Sequence, residues 1–504
     1  MKTLRKYHKW PSLIVGLFII LFCVSGIVMN HRSFFSTLNF PRKLLPSNYH
    51  YDNWNLASVK GFVPVGNDSL VLYGNIGVWK TDTAFSSFRP MNDGFPRGIG
   101  NRKILTLTNT KNGRLFAGAL YDLFEFNKAI QKWEKIELPV GKTKVYKVFE
   151  KNDTLMILTR SELIEMPLAG RADFGVITLP PTKDQLGKAA MFRTIWLIHS
   201  GEILGMPGKI LVDIMGLIVA FLTLSGLFYT FLPKFSRRIK ESLSKRLKKT
   251  NRKTINWHTK IGVYTLPFLL LLSITGMFLR PPLLIPIAYK NVTAIPGTEL
   301  ASKNTWYKKL RDVVYDSATN SYIVSSNEGF VRLAKHNGRY VTTKLAKQPP
   351  VSVMGINAFE LLPDGDYLIG SFSGIYKWNQ KTGRSTDYIT GLEVNPEKRG
   401  SPFGAVAVAG VYMRNGEPSA IIDYTVGWMD LKSGKKPSMP HAIANLPMSW
   451  WNLALEIHTG RIFEFLVGKF YILYVPLMGI SIVVILITGF LMYLRARKRK
   501  KQIL

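Results

Sequence analysis

Four long apolar runs, each bordered by basic residues, divide the chain. They cover residues 12–29, 210–232, 261–279 and 470–494. Each run is long enough to cross a bilayer as a helix, so the pattern predicts four membrane spans. Between the first and second runs, and again between the third and fourth, the pattern changes to short apolar stretches with aromatic residues and turn pairs. This second pattern favours β-strands.

The first span of each half follows one scheme. His8 is followed eighteen residues later by Gly26, and His258 is followed at the same interval by Gly276. Eighteen residues make five helical turns, so the histidine and the glycine share one helix face. The interval also spans about 27 Å, close to the thickness of the hydrocarbon core.

The second span of each half repeats as well. A stretch Ile-His-[Ser/Thr]-Gly containing His199 or His458 precedes each of these spans, and Gly226 and Gly489 stand near their far ends. All four spans therefore carry Ser-Gly or Thr-Gly near the far end. The chain is interpreted as a tandem duplication of helix, external domain and helix.

Charge fixes the expected orientation. The formal net charge is +35, and the basic residues gather before the first span, between the second and third, and after the fourth. By the positive-inside rule these three regions are cytoplasmic, and the two long β segments are external. Because the basic clusters directly flank apolar runs, nucleic-acid binding is disfavoured and the lipid bilayer is the expected partner. The single Cys23 lies within the first run and says little about redox compartment.

The predicted organisation has eight parts. They are a cytoplasmic start with the first span (1–32), β segment 1 (33–187), an interfacial helix with the second span (188–233), a basic loop (234–257), the third span (258–280), β segment 2 (281–448), an interfacial helix with the fourth span (449–494) and a basic tail (495–504).

The β segments contain a repeat of their own. Six times a turn pair, such as Asn112-Gly113 or Asn415-Gly416, precedes two short strands, and within a half the spacing is about 40–50 residues. That is the size of a four-stranded propeller blade. The fold class we predict is a four-span α-helical bundle with an external all-β, propeller-like domain. Its two halves complete one ring of six to eight blades, with two smaller β domains or plain sandwiches as alternatives.

Histidines at the ends of membrane spans are candidate ligands, because ionisable residues are costly there. The alternative is that they are ordinary interfacial or helix-packing residues. Each side of the membrane is expected to bring two histidines and two glycines together: His8, His258, Gly226 and Gly489 on the cytoplasmic side, and His199, His458, Gly26 and Gly276 on the external side. His31 is a reserve candidate on the external side, where its duplicated position holds Pro281.

Imidazoles from facing helices suit the axial positions of haem iron, and small residues leave room for a flat macrocycle. Zinc is a weaker alternative because almost no Cys or carboxylate accompanies the histidines. We therefore predict two haems, one per leaflet, which together relay electrons. Basic residues near the histidines could pair with the haem propionates: Lys9, Lys260, Arg193, Lys209, Arg461 and Lys469. No Gly-x-Gly-x-x-Gly follows a strand, and the cytoplasmic segments are too short for a flavin or nicotinamide domain.

These motifs resemble the bacterial PepSY-associated transmembrane proteins, which include inner-membrane haem reductases of ferric siderophores. The resemblance rests on His8…Ser25-Gly26, on His258…Thr275-Gly276 and on the two Ile-His-[Ser/Thr]-Gly…Gly-Lys stretches at 198–209 and 457–469. It implies haem b bound by span histidines and reduction of an iron complex in the periplasm. The chain departs from that family outside the membrane, where β repeats replace an evident PepSY unit.

The sequence therefore predicts a bacterial inner-membrane electron conduit, with both termini cytoplasmic, that reduces a periplasmic ferric chelate such as a ferric siderophore. Its electrons would come from quinol or from a separate donor protein. Two other functions stay open at this point: a non-enzymatic sensor or scaffold anchored by its helices, and a permease component that carries an intact iron complex inward.

Overall fold

The structure is a computed structural model that describes residues 2–169, 173–182, 185, 187–235, 241–352, 354–395, 404–432, 434 and 436–503. The chain divides into two compact units. The membrane unit comprises Met1–Phe35, Gly187–Ala301 and Trp450–Leu504, and the β unit comprises Ser36–Leu186 and Ser302–Ser449. Residues 281–301, placed by sequence in β segment 2, belong to the membrane unit because a short strand there pairs with residues 188–190.

The helices of the membrane unit include four that are long and apolar enough to cross a bilayer, over Lys2–Asn30, Glu202–Leu232, Ser242–Met277 and Arg461–Arg499. The helices are α1 (Lys2–Asn30), α2 (Arg32–Phe35), α3 (Met191–Ser200), α4 (Gly205–Phe235), α5 (Glu241–Met277), α6 (His441–Ala444, in the β unit), α7 (Trp450–His458), α8 (Glu464–Val467) and α9 (Tyr474–Ile503). The chain is thus a membrane protein, as its apolar runs predict.

Helix α5 begins inside the segment predicted as a basic loop. Its first sixteen residues or so are rich in Lys, Arg and Leu, which favour helix, and they continue without a break into the apolar part. Residues 236–240 of that predicted loop lie outside the described residues. The third span is therefore the end of a longer helix that starts well before His258.

The four long helices α1, α4, α5 and α9 pack side by side as a bundle. Helices α1 and α5 each pack against both α4 and α9. Large apolar side chains point away from these contacts, such as Tyr264 and Phe470, which are 81% and 77% exposed. Apolar surface on this scale is unfavourable in water and is the surface that lipid would cover.

Each short helix that carries a second-span histidine ends at a left-handed glycine. Helix α3 ends before Gly201 (φ 76°) and α7 before Gly460 (φ 77°). Only glycine adopts this conformation without strain, so the chain can turn sharply towards the span that follows. At Gly201 a side chain would also meet the backbone of Gly208.

In the described part of the β unit the strands form six small antiparallel sheets, one more strand pair and no mixed sheet. The first three sheets are β2–β5 (Gly61–Pro64, Ser69–Gly74, Gly77–Asp82, Phe88–Pro90), β6–β9 (Ile104–Asn109, Leu115–Ala119, Leu123–Asn127, Lys132–Ile136) and β10–β13 (Val145–Lys151, Thr154–Thr159, Leu163–Pro167, Gly175–Ile177). The next three are β16–β19 (Leu310–Asp316, Ser321–Ser326, Gly329–His336, Arg339–Lys344), β20–β23 (Ile356–Leu361, Tyr367–Ser371, Gly374–Trp378, Ser385–Asp387) and β24–β26 (Val408–Arg414, Glu417–Asp423, Gly427–Asp430). Strand β1 (Asn39–Phe40) pairs with β27 (Met448–Ser449), and in the membrane unit β14 (Lys188–Ala190) pairs with β15 (Asn291–Thr293).

The sheets contact one another through their first strands. Strand β2 contacts β6, β6 contacts β10, β10 contacts β16, β16 contacts β20, β20 contacts β24, and β24 contacts β2 again. The arrangement is propeller-like, and both halves of the chain contribute three sheets to it. Two of the six predicted turn pairs, Asn152-Asp153 (φ 47° and 55°) and Asn415-Gly416 (φ 53° and 79°), have both residues in the left-handed region that a two-residue hairpin turn needs.

Buried aromatic side chains fill the space between sheets. Trp378 is fully buried against Phe330 and Tyr367, so the tryptophans and tyrosines near strand ends serve packing. Where the first strands meet, charged side chains take the place of aromatic rings: the Nζ of half-buried Lys147 lies 2.8 Å from Oε1 of the more exposed Glu360 and 3.9 Å from Oδ1 of half-buried Asp312. Burial raises the pKa of Asp312 to about 6, against the opposing attraction of Lys147.

Candidate functional site

Two pairs of histidines form in the membrane unit, and each pair joins the two halves of the duplication. In the first histidine pair the rings of His8 on α1 and His258 on α5 have centroids 6.3 Å apart and planes at 85°. In the second histidine pair the rings of His199 on α3 and His458 on α7 also have centroids 6.3 Å apart, with planes at 56°. These are the pairings that the sequence predicts from topology and duplication.

In one histidine of each pair the Nδ1 nitrogen donates to a backbone carbonyl. The Nδ1–H of His8 donates to the carbonyl oxygen of Ile485 (2.9 Å), and that of His199 donates to the carbonyl oxygen of Leu272 (3.0 Å). A carbonyl oxygen can only accept, so Nδ1 carries the proton. The Nε2 nitrogen of each ring therefore keeps its lone pair for a ligand.

The other two histidines reach the same state through serine hydroxyls. The Nδ1 of His258 lies 2.8 Å from Ser225 Oγ, and that of His458 lies 3.0 Å from Ser25 Oγ. Each serine donates its own hydroxyl hydrogen to a carbonyl oxygen of the preceding helical turn. The acceptor is Leu222 for Ser225 and Leu21 for Ser25. Because the serine oxygens then accept from the histidines, these two rings also carry the proton on Nδ1 and leave Nε2 available.

Each of the four spans has a glycine directly after its Ser or Thr, and each of these glycines lies against a histidine ring. A Cβ added at Gly276 would lie 2.8 Å from His199 Cε1, and one at Gly489 would lie 3.0 Å from His8 Cε1. At Gly26 and Gly226 the corresponding distances, to His458 and His258, are 3.4 Å and 3.7 Å. The repeated [Ser/Thr]-Gly thus has a double role: the hydroxyl residue orients or neighbours the imidazole, and the glycine lets the ring approach the helix.

Both histidines of the second pair are neutral around pH 7. Burial lowers the pKa of His199, and burial together with the neighbouring His199 ring lowers the pKa of His458 to about 3. A neutral imidazole is the form that binds a metal.

A cavity of about 550 Å³ surrounds the first histidine pair. Besides the two histidines it is lined by the glycines at 226, 262 and 489 and by apolar side chains of all four long helices, and Arg5 and Lys9 border it. This size and composition suit a large, mostly apolar ligand with acidic groups at one edge. Arg5 is a residue that the sequence reasoning missed, although its position three residues before His8, one helical turn away, could have indicated it.

The histidine spacing fits one metal between two rings. A metal–nitrogen bond is about 2.0 Å long, so centroids 6.3 Å apart leave room for one metal ion that both rings of a pair would hold. Within the described residues no group of three or more His, Cys, Asp or Glu side chains gathers to hold a metal ion alone. A two-histidine set is what remains for the protein when a planar macrocycle supplies the other four ligands, so the residues present fit a haem.

His31, the reserve candidate, is not part of either pair. Its Nε2 lies 2.8 Å from Asp213 Oδ2, and Asn30 Nδ2 donates to the other oxygen of the same carboxylate at 2.8 Å. His31 thus pairs with a carboxylate of α4.

Three of the basic residues expected to pair with propionates have carboxylate partners in the protein. Arg193 bonds to Glu299 (2.7 Å), Lys209 to Glu202 (2.8 Å) and Arg461 to Glu456 (3.2 Å). Of the remaining three, Lys9 borders the cavity of the first pair, Lys260 lies over the ring of Trp257, and Lys469 is exposed in the short helical turn Gly468–Leu473.

A family model described as the PepSY-associated TM region matches residues 5–496. No curated protein matches the chain. Among solved structures, YCF48 bound to a D1 peptide is 8% identical with a TM-score of 0.34, and the match covers 79% of this chain and 87% of that one. The extracellular domain of the hybrid two-component system BT3049 from B. thetaiotaomicron is 14% identical (TM-score 0.31; 75% of this chain, 39% of that one). PorZ, a surface component of the type-IX secretion system of Porphyromonas gingivalis, is 9% identical (TM-score 0.32; 74% and 38%).

Proposed function

Because the chain belongs to the PepSY-associated TM family, we propose that it is a bacterial inner-membrane electron conduit that binds two haem b groups and reduces a ferric chelate outside the membrane. The chelate is a ferric siderophore in this proposal, and the electrons come from quinol or from a separate donor protein. Both termini lie in the cytoplasm, and the β unit is a six-bladed propeller in the periplasm.

The observation that carries the proposal is the state of the four histidines. In both pairs the rings stand 6.3 Å apart, and in all four the Nδ1 nitrogen is engaged by a carbonyl or a hydroxyl. The nitrogen left over is Nε2, the one that binds iron in a haem protein. A histidine that merely lies at the membrane surface does not need a protein partner for Nδ1. Here all four rings of two matched pairs have one, which is the arrangement expected of metal-binding imidazoles.

The chain's own residues determine how such a group would be held. His8 and His258 would hold one haem, and His199 and His458 would hold the other, with iron supplying one-electron redox chemistry. The hydrogen bonds to Nδ1 fix the orientation of each ring and strengthen it as a donor. The glycines at 26, 226, 276 and 489 set the distance between ring and helix, and the apolar walls exclude water.

Two sites at opposite ends of α1 favour transfer across the membrane over chemistry at one surface. His8 lies near the start of α1 and Gly26, which contacts His458, lies eighteen residues further on, about 27 Å along the axis. Reduction assists iron release because siderophores with hard oxygen ligands bind iron(II) much more weakly than iron(III). The β unit offers a rigid surface on which such a chelate could be held.

The test uses single histidine variants of the full chain. His8→Ala and His258→Ala are each expected to lose one haem and to keep the other, and His199→Ala and His458→Ala are expected to lose the other one. His336→Ala, an exposed histidine of the β unit, serves as the matched control and should keep both. The measurement is haem per chain after purification, together with reduction of a ferric siderophore by membrane vesicles.

Two outcomes would contradict the proposal. Retention of all haem in the four variants would remove the assigned ligands. Absence of haem in the unaltered protein would favour an anchored sensor or scaffold, and uptake of radiolabelled chelator together with its iron would favour a permease component.

A further inference from the structure

Two long helices of the membrane unit continue past the first histidine pair by several turns. Helix α5 begins at Glu241, seventeen residues before His258, which is about 25 Å of helix. Helix α9 continues to Ile503, fourteen residues after Gly489, which is about 21 Å of helix. We call residues 241–257 of α5 and 490–503 of α9 the basic projection.

The two parts of the basic projection extend in the same direction from neighbouring positions. The rings of His8 and His258 face each other, and His8 lies against Gly489, so position 489 of α9 is level with position 258 of α5. Helix α5 approaches this level from its start, helix α9 leaves it towards its end, and the two helices pack against each other. The basic projection therefore stands on the end of the bundle that holds the first histidine pair, which is the end proposed to face the cytoplasm.

The basic projection carries exposed positive charge with almost no acid. Helix α5 contains one acidic residue, Glu241, and helix α9 contains none. Like charges stand four residues apart on one face of α5, as at Lys245 and Lys249, and such pairs destabilise a helix. An anionic partner would relieve this repulsion. The exposed basic side chains are Lys245, Arg246, Lys248, Lys249, Arg252 and Lys253 on α5, and Arg495, Arg497, Lys498 and Arg499 on α9.

The outer charges of the basic projection lie too far from the bilayer for lipid to be that partner. The eighteen residues from His258 to Gly276 already span the hydrocarbon core, and the headgroup layer adds only about 5–8 Å on each side. Lys249 and Lys245 lie about 14 Å and 20 Å along the helix axis from His258. Because the potential of anionic lipids falls off within a Debye length of about 8 Å, these charges favour a soluble partner.

The base of the basic projection borders the cavity of the first histidine pair. Ile255 of α5 and Tyr493 and Ala496 of α9 belong to the basic projection and also line that cavity. Arg5 and Lys9 add two basic residues at the same edge. A protein seated on the basic projection would therefore lie beside the place proposed for one haem.

We propose that the basic projection is the docking surface for a small acidic electron-carrier protein of the cytoplasm. The inference rests on the proposed function and decides between its two electron sources. One electron passes from the reduced carrier to the ferric iron held by His8 and His258: the carrier is oxidised by one electron, the iron becomes ferrous, and no bond or proton is exchanged. Complementary charge speeds the encounter and orients the carrier. An uncharged quinol dissolved in the bilayer has no use for charges that stand beyond the headgroups.

The first experiment is a binding titration with oxidised flavodoxin, an acidic flavin-containing carrier, as the probe. The full-length protein is held in lipid discs of zwitterionic phosphatidylcholine, so no anionic lipid competes. We expect flavodoxin to bind at 50 mM salt and at least about 10-fold more weakly at 300 mM. Lys248→Glu/Lys249→Glu should weaken binding by about 10- to 100-fold at 50 mM salt, because attraction becomes repulsion. This variant keeps eight of the ten basic residues of segment 234–257, so the charge signal for topology remains.

Lys128→Glu/Lys132→Glu is the matched control, because it reverses two exposed lysines of the β unit. It should leave flavodoxin binding unchanged. Arg497→Glu/Lys498→Glu, on the other helix of the basic projection, should weaken binding as the α5 variant does. Cytochrome c, a basic carrier, should not bind the unaltered protein.

A stopped-flow measurement then compares two electron donors, reduced flavodoxin and the quinol menadiol. In Lys248→Glu/Lys249→Glu the reduction of haem by flavodoxin should slow at least about 10-fold. Reduction by menadiol should keep its rate, which shows that the variant is folded and loaded.

Three results would overturn the inference while leaving the proposed function in place, provided that menadiol still reduces the haem. They are no binding of flavodoxin to the unaltered protein, equal binding to the unaltered protein and to Lys248→Glu/Lys249→Glu, and loss of co-purified anionic phospholipid from that variant without a change in flavodoxin binding. The last result would assign the basic projection to lipid. The binding titration does not depend on haem, so charge-dependent binding by a protein that lacks haem would contradict the proposed function and leave the docking surface standing.

Discussion

The glycines beside the histidine rings give the sharpest quantitative prediction, because the same substitution meets four different distances. In Gly276→Ala the new Cβ would lie 2.8 Å from His199 Cε1, whereas carbon atoms prefer about 3.5 Å or more. The ring must therefore move by about 3.5 − 2.8 = 0.7 Å, or the helices must separate by as much. In Gly226→Ala the distance is 3.7 Å, which is an ordinary contact and requires no movement.

The expected size of the effect follows from overpacking. Inserting one methyl group into a tight contact costs about 1–3 kcal/mol, which corresponds to roughly a 5- to 150-fold loss of affinity for a ligand held by the displaced ring. A shift of this size also exceeds the roughly 0.5 Å within which a metal site must hold its ligands. By contrast, alanine in place of an unconstrained helix glycine stabilises the helix by up to about 1 kcal/mol.

The assay is the rate at which purified protein loses haem to an excess of a soluble haem-binding apoprotein. Gly276→Ala should release one haem faster and the other at the normal rate, followed in order of effect by Gly489→Ala, Gly26→Ala and Gly226→Ala. Gly16→Ala is the control for a helix contact remote from any histidine, since its Cβ would lie 3.5 Å from Thr223. Equal rates in Gly276→Ala and Gly226→Ala, with both proteins folded, would refute the idea that the glycines exist for the rings.

Two further predictions concern hydrogen bonds and buried charge. Ser225→Ala removes the hydroxyl that accepts a hydrogen bond from His258 Nδ1 at 2.8 Å, so the imidazole donates less electron density to the iron. The reduction potential of one haem should therefore rise by about 40 mV, which corresponds to about 1 kcal/mol. An unchanged potential in a redox titration would contradict this. Lys147→Met leaves half-buried Asp312 and the more exposed Glu360 without their cation and should lower the stability of the β unit by about 1–3 kcal/mol in thermal unfolding, between the values for exposed and buried pairs. The control Lys432→Met removes an exposed pair with Glu417 and should leave thermal unfolding unchanged. Because the pKa of Asp312 is raised to about 6 in the folded protein, its contribution to stability is greatest below pH 4 and is lost as the pH rises towards 6. The deficit of Lys147→Met should therefore shrink in acid, and a pH-independent deficit would contradict the electrostatic explanation.

Much of the architecture follows from periodicity and repetition. The four apolar runs predict the spans, and the turn pairs at about blade spacing predict a propeller-like β unit, because both depend on local patterns. The duplication adds long-range information that a single motif cannot give. It indicates which histidine should meet which, since the rings that pair, such as His8 and His258, occupy equivalent positions in the two halves.

Other features depend on contacts between distant residues and leave little trace in the sequence. The role of Ser225 and Ser25 as acceptors for histidine Nδ1 needs two helices at a defined rotation, which composition does not determine. The pairing of His31 with Asp213 joins residues 182 positions apart. The segment predicted as a loop at 234–257 is helical from Glu241. The sequence does not distinguish the two states, because a run of basic residues that favour helix is also typical of a cytoplasmic loop.

The most direct test of the central claim is the optical spectrum and haem content of the purified, unaltered protein. Protein from haem-replete cells should be red, its reduced-minus-oxidised spectrum should be that of haem b with two histidine ligands, and it should contain about two haems per chain. Colourless protein, or protein whose haem does not respond to dithionite and ferricyanide, would contradict the claim that the chain binds two redox-active haems.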